Sequence, residues 1–301
     1  MIRCPLRNKA SAAERWADMG KVRGTVVIIG CGDLGTEAGL RFAEAGYQVQ
    51  GWRRRPALLP APITGVRADL GGALPELPAD TQVVVFAPAA PERSVAAYEA
   101  TYLHGLARTL DAVDARPGEP PSVLLVSSTA VYGDAYGAWV DEGTTPVPST
   151  PTGQVLLQAE ELLRRRRPDG RILRLAGIYG PGRTRLIDQV RTGTAAAGAS
   201  ITNRIHRDDA AAAIAHLVLT GAPPGTYIGV DDEPVEMSDV VAFLAREMGL
   251  PVPGPRERES SRGGNRRLSN ARLRSTGFRF AYPDYRAGYR SVLAGQGQRH
   301  P

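Results

Sequence analysis

Three glycines in a Gly-x-Gly-x-x-Gly spacing, Gly30-Cys31-Gly32-Asp33-Leu34-Gly35, form the first pattern in this chain that implies chemistry. The spacing suits a pyrophosphate. One glycine makes a tight turn, the next lets the backbone approach the phosphates at a helix N-terminus, and the third lets helix and strand pack closely. A short β-branched run from Thr25 precedes the motif, the helix-like stretch Leu34 to Ala45 follows it, and the strand-like Tyr47 to Trp52 comes next. This frame predicts dinucleotide binding by Gly30, Gly32 and Gly35, with Asp33 and Leu34 in the turn. At the end of the second strand an Asp or Glu holds the ribose 2′-hydroxyl of NAD, but this chain reads Gly51-Trp52-Arg53-Arg54-Arg55. Guanidinium groups at Arg53 and Arg54 would instead clamp a 2′-phosphate through paired donors. NADP is therefore the expected cofactor and NAD the weaker alternative.

What is missing narrows the chemistry further. Of 37 basic residues only Lys9 and Lys21 are lysines, so no mechanism can use a lysine after residue 21. The two cysteines, Cys4 and Cys31, support neither a disulfide framework nor a four-ligand metal site, and they point to a reducing cytoplasm. No metal ligand set is expected. A net charge of +6 admits nucleic acid, an anionic surface or an anionic ligand. The arginine clusters at 53–55, 164–167 and 256–274 have no interleaved aromatic residues, which argues against a nucleic-acid stacking platform. There is no run of apolar residues long enough to span a membrane. The expected partner is a small-molecule substrate, with no nucleic acid and no membrane; a homodimer is left open.

The elements that must position these residues follow from hydrophobic patterning. Apolar runs at 83–87, 122–128 and 171–176 alternate with helical segments at 94–113 and 153–166. Continuous apolar strands between helices are buried on both faces, so the fold expected is α/β with a doubly wound parallel sheet. Residues 1–20 read as a loosely ordered extension, 21–180 as the NADP-binding Rossmann domain, and 181–301 as a smaller substrate-binding region. The apolar face of the 208–219 helix is expected to pack back on the Rossmann domain. The tetra-arginine run at 164–167 reads as the solvated end of a helix, Asp208 and Asp209 as helix caps, and Arg266 and Arg267 as surface residues or anion contacts.

Several ordered motifs carry a family resemblance across roughly residues 24 to 290. Beside the glycine motif stand Asp69-Leu70 after a third strand, Ala87-Pro88-Ala89 after a fourth, SSTAVYGD at 127–134, RLAGIYGPGR at 174–183, NRIHRDD at 203–209 and LRSTGFRFAYPDY at 273–285. Together they resemble the extended short-chain dehydrogenase/reductase superfamily, which includes the nucleoside-sugar epimerases and dehydratases. The resemblance implies cofactor contacts at Asp69, Leu70, Ala87, Pro88, Ala89 and Ile178. It also implies substrate polarisation by Ser128, with Tyr132 as the tyrosine of V-Y-G.

The family's proton relay is a Tyr-x-x-x-Lys pair, and the resemblance puts its slots at Thr152 and Leu156. Neither residue is retained, and Leu156 cannot depress a tyrosine pKa as a lysine does. The chain thus resembles an atypical member that keeps the cofactor fold and lacks the standard pair. Three readings stand. The first is an NADP(H)-dependent oxidoreductase, or a redox-neutral isomerase or dehydratase, using Ser128 and Tyr132 on a small substrate, neutral or anionic, met by Thr152, Tyr179, Arg183 and His206. The second is a non-catalytic NADP(H) sensor. The third is an ordinary nucleoside-sugar epimerase or dehydratase.

Overall fold

Val26 and Ile28 point to one side of the first strand and Val27 and Ile29 to the other, and all four are buried. A strand apolar on both faces needs a layer of helices above and below it, and this computed structural model supplies them. It describes residues 23–254 and 264–301. The extension expected at 1–20 and part of the polar segment before Arg266 lie outside those residues.

In chain order the first elements are β1 (Thr25–Ile29), α1 (Asp33–Glu44), β2 (Gln48–Arg53), β3 (Thr64–Arg67), β4 (Thr81–Phe86), α2 (Val95–Tyr98), α3 (Gly105–Asp114), β5 (Ser122–Ser128), β6 (Trp139–Val140), α4 (Pro151–Arg166) and β7 (Arg171–Leu175). Then come β8 (Gly177–Tyr179), α5 (Arg185–Arg191), β9 (Ile201–Thr202), β10 (Arg204–His206), α6 (Arg207–Leu219), β11 (Gly225–Gly229), β12 (Val235–Glu236), α7 (Met237–Glu247), β13 (Arg267–Leu268), α8 (Ala271–Ser275) and α9 (Tyr285–Leu293). Seven strands form one parallel sheet in the order β11-β7-β5-β4-β1-β2-β3. This is the doubly wound sheet expected from the sequence.

On one face Val26 and Ile28 join Ala38 and Phe42 of α1 and Ala210, Ile214 and Leu217 of α6. On the other, Val27 and Ile29 join Leu106 and Leu110 of α3 and Ala159 and Leu163 of α4. The helix expected over 94–113 is split: Ser94 caps α2 by accepting from Ala97 N–H at 3.1 Å, and a π-helical turn over Glu99–His104 separates α2 from α3. Beyond residue 180 the chain is not a detached unit. It supplies the edge strand β11 and the helix α6 to the main layers, while a separate apolar cluster gathers Tyr179, Ile187, Val190, Val240, Val241, Phe243 and Leu244 with Tyr285 and Tyr289 of α9. Among the described residues no helix is long and apolar enough to cross a membrane, and no group of His, Cys, Asp and Glu side chains would hold a metal.

Candidate functional site

The glycine motif forms the corner where β1 turns into α1. Gly30 has φ +80°, and a Cβ there would lie 2.3 Å from Pro88 Cα, so both its conformation and its neighbour require glycine. Gly35 lies in the first turn of α1 and packs on β1, where an added Cβ would meet Ile28 at 3.0 Å. Gly32 differs from both, because a Cβ there would meet nothing within 4 Å. It precedes α1, whose first helical bond runs from Thr36 N–H to Gly32 O, leaving the amides of Asp33, Leu34 and Gly35 without an intrahelical acceptor. An open glycine beside uncommitted amides at a positive helix end fits a diphosphate. Arg53 at the end of β2 is half-buried, and Arg54 beside it is exposed.

Charge at this corner is arranged across the chain. Asp33 accepts from Arg207 Nη1 at 2.7 Å, from Arg183 Nε at 3.0 Å and from the His300 backbone at 3.1 Å. A carboxylate beside a phosphate site would repel the ligand, and the two arginines neutralise it. Arg183 is thus held at Asp33. The other residues expected at the cofactor lie in loops at the same sheet edge: Asp69 caps a turn by accepting from Gly71 N–H, Leu70 packs near Gly105, Ala87 donates to Ile29 O, Pro88 O accepts from the Tyr102 hydroxyl, and Ala89 is exposed.

The second corner, at the end of β5, is closed. Ser128 is half-buried, its Oγ accepting from Ala130 N–H at 3.2 Å. The Tyr132 hydroxyl donates to Asp141 O at 2.8 Å and accepts from Arg174 Nη1 at 2.6 Å, and the residue is 2% exposed. Arg174 in turn grips Glu160 at 2.6 Å, and Ser127 Oγ donates to the same carboxylate at 2.7 Å. Burial pushes the Tyr132 phenol up, against the pull of Arg174. A phenol so held is a structural member of a buried network, which corrects the expectation that it faces substrate. Leu156 is buried with Val131, Val140 and Ala176, whereas Thr152 is half-buried on the first turn of α4, and that helix contains no Tyr or Lys.

Arg266 was not singled out as part of this corner by the sequence. It is 3% exposed and donates to Thr129 O at 2.7 Å and Gly133 O at 2.9 Å, so it braces the loop after Ser128 rather than lying on the surface. Burial holds it down to about 10. Arg167 likewise departs from the solvated helix end: it is 7% exposed and bonds to Pro121 O and Asp169.

Tyr179 and His206, expected against substrate, are interior residues. Their rings meet edge to face at 5.4 Å, and His206 also lies 3.9 Å from Tyr282. A Cβ on Gly288 would overlap the Tyr179 hydroxyl, so α9 closes over this side chain. Burial lowers His206 to about 4, against the pull of Asp208, so the ring is neutral at pH 7, and its Nδ1 caps α6 by accepting from Asp208 N–H. The cap is therefore His206 rather than the aspartates: Asp209 accepts from Ala281 and Tyr282 N–H, and Asp208 pairs with Arg207. Ile178 is half-buried in β8.

No family model matches the chain. Protein YeeZ of Escherichia coli K12 is 31% identical over 275 residues, which cover 86% of this chain and 96% of YeeZ. A Methylobacillus flagellatus structure named for an NAD-dependent epimerase/dehydratase is 36% identical, with a TM-score of 0.75 and coverage of 90% of this chain and 98% of that one. The Bordetella bronchiseptica enzyme WbmG, solved with NAD, shares the fold at a TM-score of 0.77 and 17% identity, over 92% of this chain and 94% of its own. With the doubly wound sheet and the open glycine corner already in place, these likenesses assign the chain to the family of protein YeeZ, within the extended short-chain dehydrogenase/reductase superfamily of NAD-dependent epimerase/dehydratase-like proteins.

Proposed function

We propose that the chain binds NADP(H) and carries out a hydride transfer, or a redox-neutral isomerisation or dehydration, without a Tyr-x-x-x-Lys relay. The observation that carries the cofactor reading is the open space at Gly32, where an added Cβ would meet nothing within 4 Å, beside the α1 amides and with the Arg53 guanidinium at the end of β2. The Gly32–Gly35 turn would hold the diphosphate, Arg53 the 2′-phosphate, and Ala87 to Ala89 with Ile178 would line the path toward Ser128. The cofactor, when bound, supplies a hydride donor or acceptor. WbmG is bound to NAD, but no acid follows β2 in this chain to hold the ribose hydroxyls, which favours NADP.

Ser128 would donate a hydrogen bond to the reacting oxygen from the carboxyl edge of β5, where doubly wound sheets place their ligands. A hydroxyl in that position stabilises a developing alkoxide without titrating. A second reading, a dinucleotide sensor without turnover, draws on the locked Tyr132 and the buried Leu156, since neither offers a proton at this corner.

Fluorescence titration of NADPH and NADH tests the reading. NADPH should bind more tightly, and Arg53→Ala should lose about 10-fold to 100-fold in NADPH affinity, the worth of one charge-assisted contact, with NADH affinity little changed. Equal affinities unaltered by the substitution would remove NADP from the account.

A further inference from the structure

The residues after α9 do not trail into solvent. Gln296 N–H closes the helix end on Ser291 O, and the chain then turns at Gly297, where φ is +79° and an added Cβ would lie 2.7 Å from Pro181 Cγ. Gln298 O accepts from Arg207 Nη2 at 2.7 Å. The Arg299 side chain fills the space over Gly182, where an added Cβ would lie 2.4 Å from Arg299 Cδ, and its Nη1 donates to Gly182 O at 2.9 Å. His300 is 9% exposed, its backbone bonded to Asp33 and its ring 2.9 Å from Glu37 Oε2. Finally Arg53 Nη1 donates to Pro301 O at 2.7 Å.

These contacts follow one line. The segment crosses from the Gly180–Gly182 turn, past the first turn of α1, to the end of β2, and it engages the same Asp33 and Arg53 that frame the cofactor corner. Its fit is specific, because side chains at 182 or 297 would collide with what lies there. Its hold is polar: Gly297, Gln298 and Arg299 are exposed, and Gly295 and Gly297 both adopt left-handed conformations on either side of Gln296. A segment bound by polar contacts and jointed at two glycines can be displaced without opening the core.

We propose that residues 297–301 are a strap that closes the adenosine end of the dinucleotide site, so that the Arg53 guanidinium serves either the strap or a ribose phosphate. This inference rests on the cofactor reading above. When the binding-competent form is only a fraction of the population, apparent affinity falls by that fraction, so a strap closed 90 to 99% of the time weakens binding by about 10-fold to 100-fold.

The test compares the full chain with a variant ending at Gln296, which keeps the α9 end bond, by calorimetric titration with NADPH and with NADH. The shortened chain should bind NADPH about 10-fold to 100-fold more tightly, and NADH, which must displace the same segment to reach the adenosine end, by a similar factor. If truncation impairs folding, the full-length double variant Arg299→Ala/His300→Ala should shift NADPH affinity in the same direction. Unchanged NADPH affinity in the folded variant overturns the strap while leaving the cofactor reading intact. If neither NADPH nor NADH binds any form, both readings are overturned.

Discussion

The two corners of the sheet's carboxyl edge are built in opposite ways. At the β1–α1 corner the backbone is spare: a glycine with open space, uncommitted amides, and an aspartate whose charge is met by Arg183 and Arg207 from distant parts of the chain. At the β5–α4 corner the space is filled. Leu156 packs into an apolar cluster, and Tyr132 is fixed from both sides by Arg174 and the Asp141 carbonyl. The difference separates two tasks that a dehydrogenase-like fold combines. Cofactor binding needs only backbone geometry and compensated charge, whereas acid/base chemistry needs a titratable group reaching the cleft, and the Tyr132 hydroxyl is bound by Arg174 and the Asp141 carbonyl.

The Glu160–Arg174 pair at the closed corner is the sharpest point at which to break this comparison. Glu160 is fully buried and Arg174 is 2% exposed, so Glu160→Ala leaves a buried guanidinium unpaired. The expected loss is about 3–5 kcal/mol, read as a fall in Tm of roughly 10 °C in a circular-dichroism melt. A drop of only a degree or two would mean that the corner is looser than its contacts.

Two hydroxyls in that same region should then behave differently. Ser128→Ala is expected to lower turnover by about 100-fold to 1,000-fold across carbonyl and enone substrates, with NADPH affinity kept. Tyr132→Phe leaves the Asp141 carbonyl and Arg174 each short of a partner, and should cost about 1–3 kcal/mol of stability while changing the rate little. A reversal of those two outcomes would put the proton donor at Tyr132.

A smaller effect concerns the lobe behind the cleft. Asp231 is buried, and desolvation raises its carboxyl to about 8 from 3.8. Between those values the folded chain keeps a proton that the unfolded chain has released, so this group makes stability fall as pH rises from about 4 to 8. His206 acts in the opposite sense, and only below about 6.5, where the unfolded ring gains a proton that burial denies the folded one. Asp231→Asn, which keeps an acceptor for Glu233 N–H, should therefore raise Tm at pH 8 by about 4 °C or more and leave it nearly unchanged at pH 4. Equal shifts at both pH values would show that the carboxyl is charged in the folded chain.

The open corner was more legible in the sequence than the closed one. Gly30, Gly32 and Gly35 act through local backbone geometry, and a parallel strand such as Thr25–Ile29 is apolar at every position because helices cover both faces. Arginine burial has no comparable local sign. Arg167, Arg174 and Arg266 look like any other guanidinium in an arginine-rich chain, and their burial depends on carboxylates and carbonyls brought in by other elements. The Asp33–Arg207 bond joins residues 174 positions apart, beyond the reach of any motif. Glu160 did leave a trace: it shares a face of α4 with Leu156, Ala159 and Leu163, where a carboxylate needs a partner.

Both corners meet in one experiment, a crystal structure of the full chain soaked with NADPH. The account expects the diphosphate on the amides of Asp33 and Leu34, the 2′-phosphate on Arg53 with the 297–301 segment displaced, and the nicotinamide C4 facing Ser128 while Tyr132 stays bonded to Arg174. A dinucleotide that avoids the Gly32 corner, or a Tyr132 hydroxyl released from Arg174 and turned toward C4, would contradict it.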